Sequence, residues 1–370
     1  MMRRGRKTLI SLSATAALLV LACPSHARAE ADQAAIAQSS LTKVIRPGYA
    51  ALRDAADALN AKIEALCQTP SEASLEEAKA AFAATVEAWS KVEIFRFGPI
   101  AEQHRYERLF YWPDPKGLGL KQLQEIMAKR DQAATVPEEL AAKSVALQGL
   151  PALEYLLYGD DAESLTEPGD IESPSAFRCS FAAAVATNID RIASAVVEGW
   201  REGSAYEKSF LGPAPEDPRY QTPKEVTLEL FKAFTSGIEL VRDQKLGKPL
   251  GESAGKAKPK LAAFWRSGLT FVNAAGNLEG VRGLFADGGF APIVASESAG
   301  VEDSILFDLG HAINVLRDMK EPAEQVFREE PSRAALEALR VSLKSARDTA
   351  SDLISRGAGL SFGFNAMDGD

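Results

Sequence analysis

From residue 31 onward, apolar residues recur at intervals of three and four. In the stretch SLEEAKAAFAATVEAWSKV, Leu75, Ala78, Phe82, Val86 and Trp89 fall on one stripe, with Glu77, Glu87 and Lys91 opposite. That spacing predicts an amphipathic helix with one buried face. Ser74 followed by Glu77 predicts a capping box, and Glu76 and Glu77 sit in the first turn, where the helix dipole favours acids. The same periodicity runs through 32–67, 138–158, 174–202, 223–244, 261–276, 302–319 and 331–355. No sustained alternation of period two interrupts it, so the predicted fold class is all-α.

Polar, glycine- and proline-rich breaks fall at 159–172, 203–222, 245–260 and 279–300. The break at 203–222 divides the chain near its midpoint and predicts two helical-bundle halves, 30–202 and 203–370. A weak internal duplication is suggested where Leu150–Leu156 can be laid over Gly310–Leu316.

The N-terminus has a different pattern. A basic stretch, Met1–Lys7, precedes the apolar run Leu9–Ala22 and the small-residue site Ala27-Arg28-Ala29. Residues 1–29 therefore read as a signal peptide, which predicts export to the periplasm or cell envelope. Val20-Leu21-Ala22-Cys23 also resembles a lipobox, so a membrane association through a lipidated Cys23 is the alternative. Residues 1–29 carry five cations (Arg3, Arg4, Arg6, Lys7, Arg28) and no acid. Their removal leaves 37 cationic side chains of the original 42 against 51 acidic ones, a net charge of −14. Such a chain is not a nucleic-acid binder. Cys67 and Cys179 would remain, either paired in an oxidising compartment or as two separate thiols.

No phosphate loop, no His-Glu-x-x-His helix and no cysteine cluster is present. Beyond residue 29 the histidines are His104 and His311 alone, which excludes a histidine-rich metal site. Two segments carry candidate chemistry. In GLPALEYLLYG, Glu154 falls among Leu150, Leu153 and Leu157. It is either a carboxylate of the core edge facing a cleft or an acid complementing the dipole of a helix begun by Pro151. In residues 93–117, Glu93, Arg96, His104, Arg105, Trp112 and Asp114 are interleaved with further aromatics, a pattern suited to clamping a planar or anionic ligand. His311, three residues from Asp308 and Asn314, is either a surface group or part of a site.

These stretches together resemble the imelysin-like family of exported bacterial proteins, whose signature is Gly-x-His-x-x-Glu followed by an apolar-aromatic run ending in Gly. Here that signature reads Gly149-Leu150-Pro151-Ala152-Leu153-Glu154 and closes on Gly159. Phe97-Gly98-Pro99, Trp112-Pro113-Asp114, Lys248-Pro249-Leu250-Gly251 and the closing Gly363–Asp370 are similar to other family stretches. The resemblance implies an all-helical fold of two bundle-like halves with the signature facing a cleft between them, and a link to iron uptake; some members were named as metallopeptidases. Pro151 stands where the signature has histidine, so Glu154 alone carries over from the implied metal pair. The expectation is a non-catalytic, exported ligand-binding or accessory protein linked to iron or metal acquisition. Its candidate cleft residues are Glu154, Glu93, Arg96, His104, Arg105, Trp112 and Asp114, and its partner a small ligand, a metal or a cell-envelope protein. The alternative is a metal-dependent, peptidase-like enzyme or iron carrier holding iron or another divalent metal on Glu154 with His104 or His311.

Overall fold

The computed structural model of the protein describes residues 24–360 apart from positions 168 and 171, with side chains from residue 32. Most of the predicted signal peptide, including Cys23, and the closing Gly363–Asp370 stretch lie outside the described residues. The predicted cleavage position after Ala29 falls within the helix Pro24–Ser39.

Every regular element among the described residues is helical, as the 3.6-residue periodicity predicts. Helix Arg46–Gln68 follows a π-helical turn at Ser40–Ile45 and packs against both Glu72–Val92 and Pro174–Gly199. Farther along, Thr270–Ala286 packs against Glu72–Val92, Pro223–Glu239 and Val301–Asp318, while Ser332–Gly357 closes on Phe290–Glu297 and Val301–Asp318. The N-terminal helix Pro24–Ser39 crosses over to pack on Pro223–Glu239. One continuous apolar core runs through these elements, and Leu75, Ala78, Phe82, Val86 and Trp89 are all buried in it.

Thr270–Ala286 lies very close to Glu72–Val92, and its glycines permit this. A Cβ on Gly280 would come 2.1 Å from the Lys91 carbonyl oxygen, and one on Gly276 2.5 Å from the Ser90 Cβ. Only glycine allows two helix backbones to approach so closely. A Cys67–Cys179 disulfide fastens the end of Arg46–Gln68 to Pro174–Gly199, which settles the fate of the two thiols.

Three local expectations are corrected. Ser71, not Ser74, caps Glu72–Val92: its hydroxyl accepts the Ser74 amide at 3.1 Å, and Ser74 lies within the first turn. The helix expected over 261–276 starts only at Thr270, because 262–269 forms a turn-rich loop in which Phe264 takes a positive φ of 55°. Conversely, 279–300 is not a loop. It contains the end of Thr270–Ala286 and the helix Phe290–Glu297, because its glycines are helix-packing and helix-ending residues.

Candidate functional site

The GLPALEYLLYG stretch folds as the helix Leu150–Tyr158. Pro151 sits in its first turn, where a missing N–H leaves no helical hydrogen bond unmade. Gly149 is fixed by sterics: a Cβ there would stand 2.2 Å from the Leu109 carbonyl oxygen. Arg108 reinforces that junction, donating Nε to Gln148 Oε1 at 2.9 Å and Nη2 to Asn188 Oδ1 at 2.8 Å, while Asn188 donates to the Gln148 carbonyl at 3.0 Å. The start of the helix is thereby pinned.

Pro151 and Glu154 lie one turn apart, and both line a cleft of about 250 Å³. Its opposite wall is the loop before Thr270–Ala286. Glu154 is only 4% exposed. Its Oε1 accepts the Ser267 amide at 2.9 Å and the Ser267 hydroxyl at 2.8 Å, and the Arg266 backbone amide also lies against the carboxyl. Burial raises the pKa of this carboxyl, with the Ser267 bonds, the Arg266 charge and the Arg266 backbone amide opposing the rise. Aromatic rings form much of the remaining wall. Phe110 stacks between Trp112, at a centroid distance of 6.0 Å, and Phe264, at 5.2 Å. The Trp112 indole donates to the Leu261 carbonyl at 3.1 Å, tying this stack to the loop.

Of the sequence-derived candidates, the cleft gathers Glu154, Trp112 and Asp114. Asp114 is also a helix cap: its two carboxylate oxygens accept the Leu118 and Gly119 amides at 2.9 and 2.8 Å. The other candidates lie elsewhere. Glu93 is completely buried behind the aromatic stack; its Oε2 accepts from Lys245 Nζ at 2.8 Å, from Asn273 at 3.1 Å and from Asn277 at 3.0 Å. Arg96 is exposed and bonds the Tyr106 hydroxyl at 2.8 Å, facing a separate groove. Arg105 braces its own turn through the Pro99 carbonyl, Glu102 and Gln103. His104 is exposed at a positive φ of 54°, and His311 is exposed with its ring stacked on Phe307. Glu154, His104 and His311 therefore do not form a common site, because both histidines belong to solvent-facing turns or helix faces. Among the described residues, no three His, Cys, Asp or Glu side chains converge to hold a metal.

The donor set of the cleft also fits a resident divalent metal poorly. Pro151 offers no ligand, Asp114 spends both oxygens on backbone amides, and Glu154 spends one on Ser267. Hard divalent cations need several anionic or carbonyl oxygens at once, and three cationic side chains share this cleft: Lys248, Lys260 and Arg266.

Several residues of the cleft and of the separate Glu93 cluster were not identified from the sequence. Ser267 and Arg266 lie in a segment read as helix, and Lys245 in one read as a polar loop. Asn273 and Asn277 carried a usable signal, two amides four residues apart in the otherwise small and apolar run FVNAAGNL.

The comparisons agree with this architecture. The "Iron-regulated protein A" of Synechococcus elongatus is 24% identical over 217 residues, which is 58% of this chain and 54% of that relative. The chain thus matches about half the length of that curated relative. The crystal structure of an imelysin-like protein from Psychrobacter arcticum superposes with a TM-score of 0.73 at 18% identity, covering 90% of this chain and 98% of that one. A putative iron-regulated protein A precursor from Parabacteroides distasonis also gives 0.73, at 14% identity over 88% and 95%. At such identities the two structures establish the shared fold. The profile of the imelysin family matches residues 45–349, so the chain belongs to the imelysin family.

Proposed function

We propose that the protein is an exported, non-catalytic binding protein of the cell envelope, serving iron or metal acquisition as an accessory component and holding a ligand in the cleft at Glu154. One observation carries the reading: both signature positions, Pro151 and Glu154, line one aromatic-walled cleft. Concave, largely apolar sites with a few placed polar groups are the usual form of small-molecule sites. The Cys67–Cys179 disulfide accords with export to an oxidising compartment, and the name of the Synechococcus relative supplies the link to iron. In this reading the histidine position of the signature has been given up to Pro151, and the metal chemistry of the family with it. The peptidase-like or iron-carrying alternative draws no support from His104 or His311, both of which lie on exposed surface.

Two measurements test this. Protein purified without a histidine tag is expected to carry metal far below one equivalent, with no change in Tm on adding Fe²⁺ or Zn²⁺. Stoichiometric metal that disappears in Glu154→Gln would overturn the reading. Intact mass of the envelope fraction is expected to show a chain beginning at Glu30; a chain retaining residues 1–29 would contradict export by this signal.

A further inference from the structure

We infer that the cleft at Glu154 takes a small organic anion with a flat apolar body, such as an aromatic carboxylate. The inference rests on the reading of that cleft as a ligand site and specifies its ligand.

The first argument is charge. The chain is acidic overall, with a formal net charge of −9, yet Lys248, Lys260 and Arg266 all line this one cleft. Many cations elsewhere in the protein are neutralised by nearby acids, as Arg317 is by Glu87 and Glu279. Lys248, Lys260 and Arg266 have no carboxylate within ion-pair distance among the described residues. Rings hold two of them instead. The Arg266 guanidinium lies 4.4 Å from the Trp265 centroid and 5.7 Å from that of Tyr155, and Lys260 Nζ lies 5.3 Å from Trp265. A ring face positions a cation without cancelling its charge. Positive potential is thus kept at the cleft in a protein whose overall charge repels anions.

The second argument concerns the carboxylates of the same space. Asp114 is bonded to two backbone amides, which draw on its negative charge. Glu154 Oε1 is held by Ser267, and burial favours the uncharged form of the carboxyl. The Arg266 guanidinium in the same lining offers donors suited to one planar anion.

The third argument is shape. The stack of Trp112, Phe110 and Phe264 forms a flat apolar wall, and about 250 Å³ accommodates a single-ring molecule. A bare inorganic anion would leave that wall in contact with water. A carboxylate carried on a ring meets both the cations and the wall.

Calorimetric titration of the protein lacking residues 1–29 with benzoate, benzamide, benzylamine and inorganic phosphate tests the inference. Benzoate is expected to bind at least tenfold more tightly than the other three. The double variant Lys260→Gln/Arg266→Gln is expected to weaken benzoate at least tenfold at an unchanged Tm, whereas Arg219→Gln, in a groove away from the cleft, is expected to leave it unchanged. Equal or tighter binding of benzamide or benzylamine would overturn the anion assignment while leaving the cleft a ligand site. Phosphate binding as tightly as benzoate would remove the flat body from the assignment. Binding of none of the four would overturn both the ligand class and the reading of the cleft on which it rests.

Discussion

Glu93 and Glu154 are both buried glutamates near the Phe110–Trp112 stack, and they are held in contrasting ways. Glu93 meets the Lys245 ammonium and the amides of Asn273 and Asn277, and Lys245 lies 5.1 Å from the centroids of both Phe110 and Trp112. Burial lowers the Lys245 pKa, and the Glu93 charge opposes that. Glu154 instead has Ser267 on one oxygen, a guanidinium near but not paired with it, and a place in the lining of the cleft. The first arrangement joins helices; the second stands at a cleft that a ligand can enter. A buried charge does not by itself mark a functional site. What distinguishes the two is the counter-charge and the place: Glu93, whose Oε1 is itself buried without a partner, is paired with Lys245, whereas Glu154 has no ion pair among the described residues and lines the cleft.

That contrast can be broken most forcefully at Lys245. Lys245→Met leaves Glu93 buried without its counter-charge and is expected to cost about 3–5 kcal/mol in urea denaturation. Glu93→Leu/Lys245→Met, which removes both charges, is expected to recover most of that loss; if it does not, the pair is not the origin of the effect. Next in size, Ser267→Ala removes the hydroxyl bond to Glu154 while the backbone amide remains, for an expected loss of about 1 kcal/mol.

Glu154→Gln sharpens the comparison through pH. Because folding raises the Glu154 pKa, its contribution is fully present below the ordinary glutamate value and is lost as pH rises through the raised one. Denaturation midpoints of the wild type are expected to fall over that window relative to those of Glu154→Gln, and the two should be within about 1 kcal/mol at neutral pH. Parallel pH profiles would show that the carboxyl is not perturbed. The smallest effect is expected for Arg266→Gln, within about 0.5 kcal/mol of wild-type stability, because the guanidinium sits on rings at the cleft and holds no helix together.

The helical fold was legible in the sequence because each long helix buries a periodic stripe against the core, and the stripe can be counted locally. Loop and helix were confused at 262–269 and 279–300, where glycine serves close packing in one segment and a turn in the next. The cleft was partly legible. Glu154, Trp112 and Asp114 lie in aromatic or signature-bearing stretches, whereas Glu93, Arg96, His104 and Arg105 shared that composition yet point elsewhere. Composition places residues in a segment but does not set the direction of each side chain.

The sequence by itself determined the helical class, the buried stripes, the family signature and the substitution at Pro151, all of which depend on neighbours along the chain. Only the tertiary structure decided that Lys245 reaches back 152 residues to Glu93, that Ser267 spans 113 to Glu154, and that Cys67 meets Cys179. Those partners are brought together by helix packing, and no local pattern encodes which helix faces which. The character of the cleft, with cations set beside a buried carboxyl, emerges from that packing.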